Sequence, residues 1–111
     1  MTSNEPKSMF LEVFGDYPVP RVLDFLLEND IFDYSKTQIA ELSNVSFNTL
    51  ETLWDNLLEH NMITPTRKIG NSQMYTLNRK SPIVKKLMEI DKSLMLESIA
   101  QPENAVVPMT A

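Results

Sequence analysis

The chain has 111 residues, 42% of them hydrophobic and only two of them glycine, and this size and composition predict one compact, helix-rich domain. No apolar run reaches the roughly 18 residues of a membrane span, and the N-terminus lacks the basic start and apolar centre of a signal peptide, so we expect a cytoplasmic protein without a membrane partner. The absence of cysteine excludes disulfides and thiol chemistry, and a net charge of −5 argues against indiscriminate binding to nucleic acid.

The acidic average conceals a basic segment. Residues 1–66 carry three basic and eleven acidic side chains, a balance of −8, whereas residues 67–92 carry seven basic and two acidic ones, a balance of +5. Such asymmetry predicts one surface that attracts an anion, although ordinary scatter of charge over a solvated surface is the alternative.

Residues 1–17 form an N-terminal segment, polar and loose over residues 1–7, in which one short helix is expected. Apolar residues at helical spacing lie between Ser8, which can cap a helix start, and Gly15, which can cap a helix end. The stretch "PVPRVLDFLLEND" follows, and its apolar spacing predicts the first long helix. Its predicted buried stripe is Val19, Val22, Leu23, Leu26 and Leu27, and its predicted outward side chains are Arg21, Asp24 and Glu28.

The next segment has the layout of two short helices joined by a tight turn. "SKTQ" is a capping box, because Ser35 can cap the helix while Gln38 reaches back to the Ser35 amide. Ser46 can start another helix, and the spacing leaves room for a helix of about two turns and a short turn. A helix-turn-helix is therefore predicted, and Trp54, in the apolar stripe of its second helix, is expected in the core.

The chain then changes to strand periodicity. Residues 62–69 and 74–78 are compatible with β-strands, and the glycine-containing sequence at residues 70–72 predicts a hairpin turn between them. Pro65 lacks a backbone donor, so the first strand is expected to pair on one side only.

Residues 81–100 predict a long amphipathic helix of about 30 Å, with Ser81 as its cap and Pro82 in its first turn. Its outer half has no obvious partner within the chain. A symmetric contact between two copies is one interpretation, and packing over the chain's own core is the other. The last residues, 101–111, are predicted to form an irregular tail. The candidate dimer-contact residues are Leu87, Ile90, Leu94 and Met95.

The order of elements over residues 18–80 resembles that of the winged helix-turn-helix transcription regulators of bacteria and archaea. The positions that carry the resemblance are the small Ala40, Asn44 in place of a turn glycine, and the apolar Val45, Leu50 and Leu53. The stretch "MITPTRKIGNSQMYTLN" is similar to the wing of that family. The resemblance implies a mainly α fold with a small β-hairpin, in which a winged helix-turn-helix domain is extended by the long C-terminal helix.

The same resemblance implies sequence-specific binding of double-stranded DNA by a homodimeric transcription regulator, with one half-site for each subunit. The recognition helix, residues 46–60, would lie in the major groove, and the wing, residues 66–74, would lie on the phosphate backbone. Asn48 suits a bidentate contact to an adenine edge. The candidate base contacts are Ser46, Asn48, Thr49 and Thr52, and the candidate backbone contacts are Lys36, Thr37, Arg67, Lys68, Asn71 and Ser72.

The recognition helix carries Glu51, Asp55 and Glu59 and no lysine or arginine. Because this helix has no cation, the positive charges that neutralise DNA phosphates are expected on the wing. The polar start of the helix can still contact the DNA bases. Winged helices also serve as protein-interaction modules, and in that alternative the acidic third helix binds a basic partner while the base-contact candidates are ordinary surface.

No enzyme is expected. His60 is the single histidine, and with no cysteine the sequence offers no set of metal ligands. Gly15 and Gly70 are the two glycines, so a glycine-rich phosphate loop is excluded. Neither a cofactor nor a metal is therefore predicted.

Overall fold

The computed structural model describes residues 8–100; the predicted loose segment at residues 1–7 and the predicted tail at residues 101–111 lie outside the described residues. Within residues 8–100 the chain forms five α-helices and one three-stranded antiparallel sheet. These elements are α1 (Met9–Phe14), α2 (Pro18–Glu28), β1 (Tyr34–Ser35), α3 (Lys36–Leu42), α4 (Phe47–Glu59), β2 (Ile63–Ile69), β3 (Ser72–Leu77) and α5 (Pro82–Ala100). None of these helices is both long and apolar enough to cross a bilayer.

The predicted serine caps are present at the helix starts. Ser8, Ser46 and Ser81 each accept a hydrogen bond from a backbone N–H three residues later. At α3 the capping box is complete, because the Gln38 N–H donates to Ser35 Oγ at 3.1 Å and the Ser35 N–H donates to Gln38 Oε1 at 2.9 Å. Local side-chain chemistry thus determines where four of the helices begin.

The turn between α3 and α4 depends on Asn44, which has a φ of 60° in the left-handed region that asparagine tolerates. The Val45 N–H then donates to the Ala40 carbonyl at 2.9 Å, and the buried Val45 side chain anchors the turn. Arg21 was predicted to face outward but is half-buried. Its Nη1 donates to the Asn44 carbonyl at 2.9 Å, and its Nε pairs with Asp16 at 2.6 Å. The turn is therefore braced from α2.

The sheet has the order β1-β3-β2. The hairpin of β2 and β3 was predicted, with boundaries at residues 62–69 and 74–78 rather than Ile63–Ile69 and Ser72–Leu77. β1 was missed, because two residues are too few for an alternating pattern. Pro65 lies on the edge strand β2, which pairs with β3 alone in the part of the chain described, as its missing N–H requires.

One apolar core joins the helices to the inner face of the sheet. Trp54 is buried, as predicted, and its indole meets the Tyr75 ring edge-on at 4.9 Å between centroids, so α4 packs directly on β3. Val19, predicted to be buried, is exposed. The core comprises Phe10, Val22, Leu26, Leu27, Ile39, Ala40, Val45, Leu50, Trp54, Leu57, Ile63, Leu77 and Val84.

α5 divides its apolar residues between the chain's own core and solvent. Val84 is fully buried, and Leu87, Met88 and Leu94 are half-buried against the core, where α5 also packs against α1. Large apolar side chains on its other sides are exposed, namely Ile83, Ile90, Met95, Leu96 and Ile99. Packing over the chain's own core thus describes one side of this helix, and the contact between two copies stays a prediction for the other side.

Candidate nucleic-acid interface

The outward face of α4 begins with short, neutral polar side chains. Ser46 Oγ accepts from the Thr49 N–H at 3.1 Å and donates to Thr49 Oγ1 at 2.8 Å, and Thr52 Oγ1 donates to the Thr49 carbonyl at 2.6 Å. Asn48 is exposed, and its amide forms no hydrogen bond within residues 8–100. Of the four candidate base contacts, Asn48 thus has the largest unused hydrogen-bonding capacity.

Lys36, a candidate phosphate contact, is bound to α4 instead of reaching into solvent. Its Nζ lies 3.1 Å from Glu51 Oε2, 5.1 Å from the Trp54 ring centroid and 5.8 Å from that of Phe47. These contacts hold α3 against α4 through an ion pair and two cation–π interactions. The neighbouring Thr37 is exposed.

The tip of the wing is open to solvent. β2 and β3 are joined by Gly70 and Asn71, and Gly70 has a φ of 61° with empty space where a Cβ would lie. Asn71, Ser72 and Lys68 are exposed, and Lys68 forms no ion pair within residues 8–100. A surface can therefore approach the tip without displacing other parts of the chain.

Arg67, the other predicted wing cation, is paired with an acid that sequence reasoning missed. Its Nε donates to Asp33 Oδ2 at 2.9 Å and its Nη2 donates to Asp33 Oδ1 at 3.1 Å, while Thr66 Oγ1 donates to Oδ2 at 2.7 Å. The hydrogen bonds from Arg67, followed by that from Thr66, lower the pKa of Asp33 to about 2. The carboxylate is therefore ionised at neutral pH and neutralises the guanidinium.

The remaining acids lie further along α4. Asp55 and Glu59 are exposed on the C-terminal half of the helix, away from the Asn48 end. Two of the predicted phosphate-binding cations form ion pairs with acids that are distant in sequence. Lys36 pairs with Glu51, 15 residues away, and Arg67 pairs with Asp33, 34 residues away. No periodic pattern in the sequence could have indicated pairs at these separations.

Across residues 8–100 no group of three or more His, Cys, Asp or Glu side chains is arranged to hold a metal ion. No protein-family model matches the chain, and no curated protein matches it.

Solved structures do match. One is a domain from Mycobacterium bovis, the homodimeric winged helix-turn-helix DNA-binding domain of a possible ArsR-family transcriptional regulator. It shares 17% sequence identity with this chain, with a TM-score of 0.53 over 74% of this chain and 70% of that domain. A ZitR variant from Lactococcus lactis is 17% identical, with a TM-score of 0.58 over 78% of this chain and 67% of that chain. MepR, a transcription regulator of the Staphylococcus aureus multidrug efflux pump MepA, is 15% identical, with a TM-score of 0.55 over 76% of this chain and only 63% of its own length.

At these identities the likeness concerns the fold. It agrees with the order of elements in this chain, in which a helix-turn-helix is followed by a β-hairpin and then by a long helix. The predicted fold class is confirmed: the protein is a winged helix-turn-helix with an additional long C-terminal helix.

Proposed function

We propose that the protein is a transcription regulator that binds double-stranded DNA as a homodimer, with the start of α4 in the major groove and the wing on the phosphate backbone. The observation that carries the proposal is the outward face of α4 at its N-terminal end. Asn48 projects there with an unsatisfied amide, beside Ser46 and Thr52, and none of the three is charged. Side chains of this kind read base edges in a groove, and recognition helices use their N-terminal residues for it.

The similar structures add support from outside the chain. One of them is described as a homodimeric DNA-binding domain and another as a transcription regulator.

The dimer part of the proposal rests on α5. An open groove along this helix is lined by Lys86, Ile90, Leu94 and Glu97, with Ile90 42% exposed. A second copy packed antiparallel across the groove would cover the apolar residues and place Lys86 of one protomer near Glu97 of its partner. Of the predicted contact residues, Ile90 and Met95 are the exposed ones, and Leu87 and Leu94 would contribute their remaining exposed edges.

The experiment is an anisotropy titration of a labelled random-sequence duplex at about 50 and 200 mM salt, with the wild type and with Arg67→Ala/Lys68→Ala. Binding should weaken at the higher salt, because phosphate neutralisation releases counterions. The double variant should bind at least roughly tenfold more weakly, with the salt slope reduced by about 0.9 for each lost phosphate contact.

The matched control is Lys80→Ala/Lys85→Ala, which also removes two positive charges, one just before α5 and one in its first turn. It should lose much less affinity than the wing variant. Equal losses would mean that general charge, rather than the wing, holds the DNA. No binding by the wild type at the lower salt would overturn the proposal.

A second candidate function, binding of a basic protein through α4, has one observation in its favour. Lys36 and Arg67 are both neutralised by acids, while Asp55 and Glu59 are exposed and form no ion pair within residues 8–100. The variant Asp55→Ala/Glu59→Ala separates the two functions. It should strengthen DNA binding if α4 lies near phosphates, and weaken binding of a labelled arginine-rich peptide if α4 is a docking surface for a basic partner.

A further inference from the structure

We propose that Asp33 competes with DNA phosphate for the wing, and thereby limits the affinity of the protein for DNA of arbitrary sequence. This inference rests on the proposed function. Asp33 occupies an oxyanion receptor formed by Thr66 and Arg67 in the free protein. A phosphate must displace this carboxylate before the Arg67 charge contributes to binding.

The receptor has the chemistry that a phosphate requires. Three donors from two consecutive residues converge on one carboxylate, two of them as the parallel N–H groups of a guanidinium. The arginine fork matches carboxylate and phosphate oxygens alike, so one group can replace the other. The Arg67 side chain is 65% exposed and that of Asp33 only 15%, so the guanidinium forms the outer side of the pair.

A β-bulge explains how Thr66 and Arg67 reach the same carboxylate. Consecutive strand residues normally point to opposite faces of a sheet. Between the pairs Pro65–Tyr75 and Lys68–Gln73 the register shifts, so that two residues of β2 lie opposite one residue of β3. The side chain of Gln73, on the opposite strand, donates to the Arg67 carbonyl at 3.1 Å and so ties the bulge to β3.

Asp33 is also fixed from its own side. The carbonyl of the preceding Phe32 accepts a hydrogen bond from Thr76 Oγ1 at 3.0 Å, and the following Tyr34 pairs with Tyr75 in the sheet. Both neighbours are thus attached to β3. The carboxylate is held in place before any ligand arrives, which distinguishes it from a mobile surface acid that meets an arginine by chance.

Neutralisation of Arg67 has its largest consequence for non-specific binding. Binding to arbitrary sequence is almost entirely electrostatic, so it depends on the net charge that the wing offers to the backbone. With Arg67 occupied, Lys68 is the wing cation without an ion pair in the described chain. Only a complex that places a phosphate directly at the guanidinium can recover the second charge.

The test compares Asp33→Asn with Asp30→Asn. Asp30 is the matched control, because it lies three residues away, loses the same charge, and pairs with Arg79 Nε at 3.6 Å rather than with the wing. On a labelled random-sequence duplex at about 50 mM salt, Asp33→Asn should bind roughly threefold more tightly than Asp30→Asn, a factor typical of one exposed ion pair. Its salt slope should steepen by about 0.9 for each phosphate gained.

A double variant assigns the gain to Arg67. Asp33→Asn/Arg67→Ala should bind no more tightly than Asp30→Asn/Arg67→Ala, since no guanidinium remains to be released and both double variants have lost one acid. Urea unfolding of each variant checks that the fold is intact. If Asp33→Asn is destabilised, Asp33→Ser, which also removes the charge, provides the same comparison.

The outcomes are separable. Equal affinities of Asp33→Asn and Asp30→Asn would overturn the inference, and weaker binding by Asp33→Asn would do so as well, because Asp33 would then orient Arg67 for DNA. Elution from immobilised heparin provides a second polyanion. If neither variant binds DNA but Asp33→Asn elutes at higher salt than Asp30→Asn, competition at Arg67 stands while the proposed DNA function fails.

Discussion

α4 and α5 are both amphipathic, yet their outward faces have opposite chemistry. α4 turns most of its large apolar residues, including Leu50 and Trp54, into the core and presents polar side chains such as Asn48, with Phe47 at its start 43% exposed. α5 leaves Ile90 and Met95 in solvent, although part of its apolar surface is already packed. A polar face suits a hydrated, hydrogen-bonding partner, whereas an apolar face gains most from another protein surface. In the proposed function these two faces would meet different partners, DNA at α4 and a second copy of the chain at α5.

The largest expected effect is the difference in free energy of unfolding between substitutions on the buried face and on the exposed face of α4. Leu50 is fully buried beneath the helix, so Leu50→Ala should lower the free energy of unfolding by about 3 kcal/mol through lost burial and the cavity left behind. Asn56→Ala, on the exposed side of the same helix, should change it by no more than about 0.5 kcal/mol. Urea denaturation of both variants measures the difference. Similar losses would mean that α4 has no distinct partner-facing side.

The corresponding test on α5 replaces an exposed apolar residue. Ile90→Glu should raise the dimer dissociation constant by about thirtyfold, or about 2 kcal/mol, because a charge would be desolvated at the centre of the proposed contact. Lys92→Glu is the control, since it lies about 200° around the helix from Ile90 and changes the charge by more. Sedimentation equilibrium over a range of concentrations gives both constants. If the wild type stays monomeric over this concentration range, the proposal that a second copy packs on α5 is wrong.

These two helices also mark how far the sequence could be interpreted. The starts of α3 and α4 were predictable because the capping residues and the groups they bind lie within three positions of each other. The buried face of α4 followed from its period. The face of α5 did not, because apolar residues occur around most of that helix, and its buried side is selected by packing against α1 and the rest of the core.

The candidate site was less predictable than the fold. Its polar residues were proposed from their position at the start of α4, but whether its cations are free or paired depends on contacts between elements that are distant in sequence. Asp33 meets Arg67 only because a bulge turns the wing strand towards it, and Glu51 meets Lys36 only because α3 and α4 pack at one particular angle. Electrostatic pairing of this kind is a consequence of tertiary structure, so charge counts along the chain overstated the free positive charge on the wing.

The smallest expected effect concerns acids between α2 and α5. Burial raises the pKa of Asp24, although a hydrogen bond with Ser8 opposes the shift, and the charge of Asp91 raises it further. Burial also raises the pKa of Glu28 and Asp91. Asp24 Oδ1 is buried and has no hydrogen-bond partner among the described residues, so this side chain, expected to face outward, is instead partly enclosed.

The sign of the pH dependence follows from these shifts. A carboxyl whose pKa is higher in the folded state binds more protons there, so stability rises as the pH falls from neutral towards the ordinary value of 3.8. Asp33 acts in the opposite sense, because its pKa is lowered: the stability it contributes is present above about pH 3.8 and is lost as the pH falls through about 2. Stability should therefore be greatest in mildly acidic solution, between these two windows.

Asp24→Asn separates the contributions. At pH 7 it should raise the free energy of unfolding by about 0.5 kcal/mol, a limited gain because the acids are still partly in water. At pH 4, close to the ordinary value of 3.8, the gain should be smaller, since a raised pKa leaves much of the wild-type carboxyl protonated there. Urea denaturation at both pH values is the measurement, with Asp55→Asn on exposed α4 as the control. A loss of stability at pH 7 would mean that the hydrogen bond with Ser8 needs the ionised carboxylate more than burial penalises it, and the acids between α2 and α5 would then stabilise the domain.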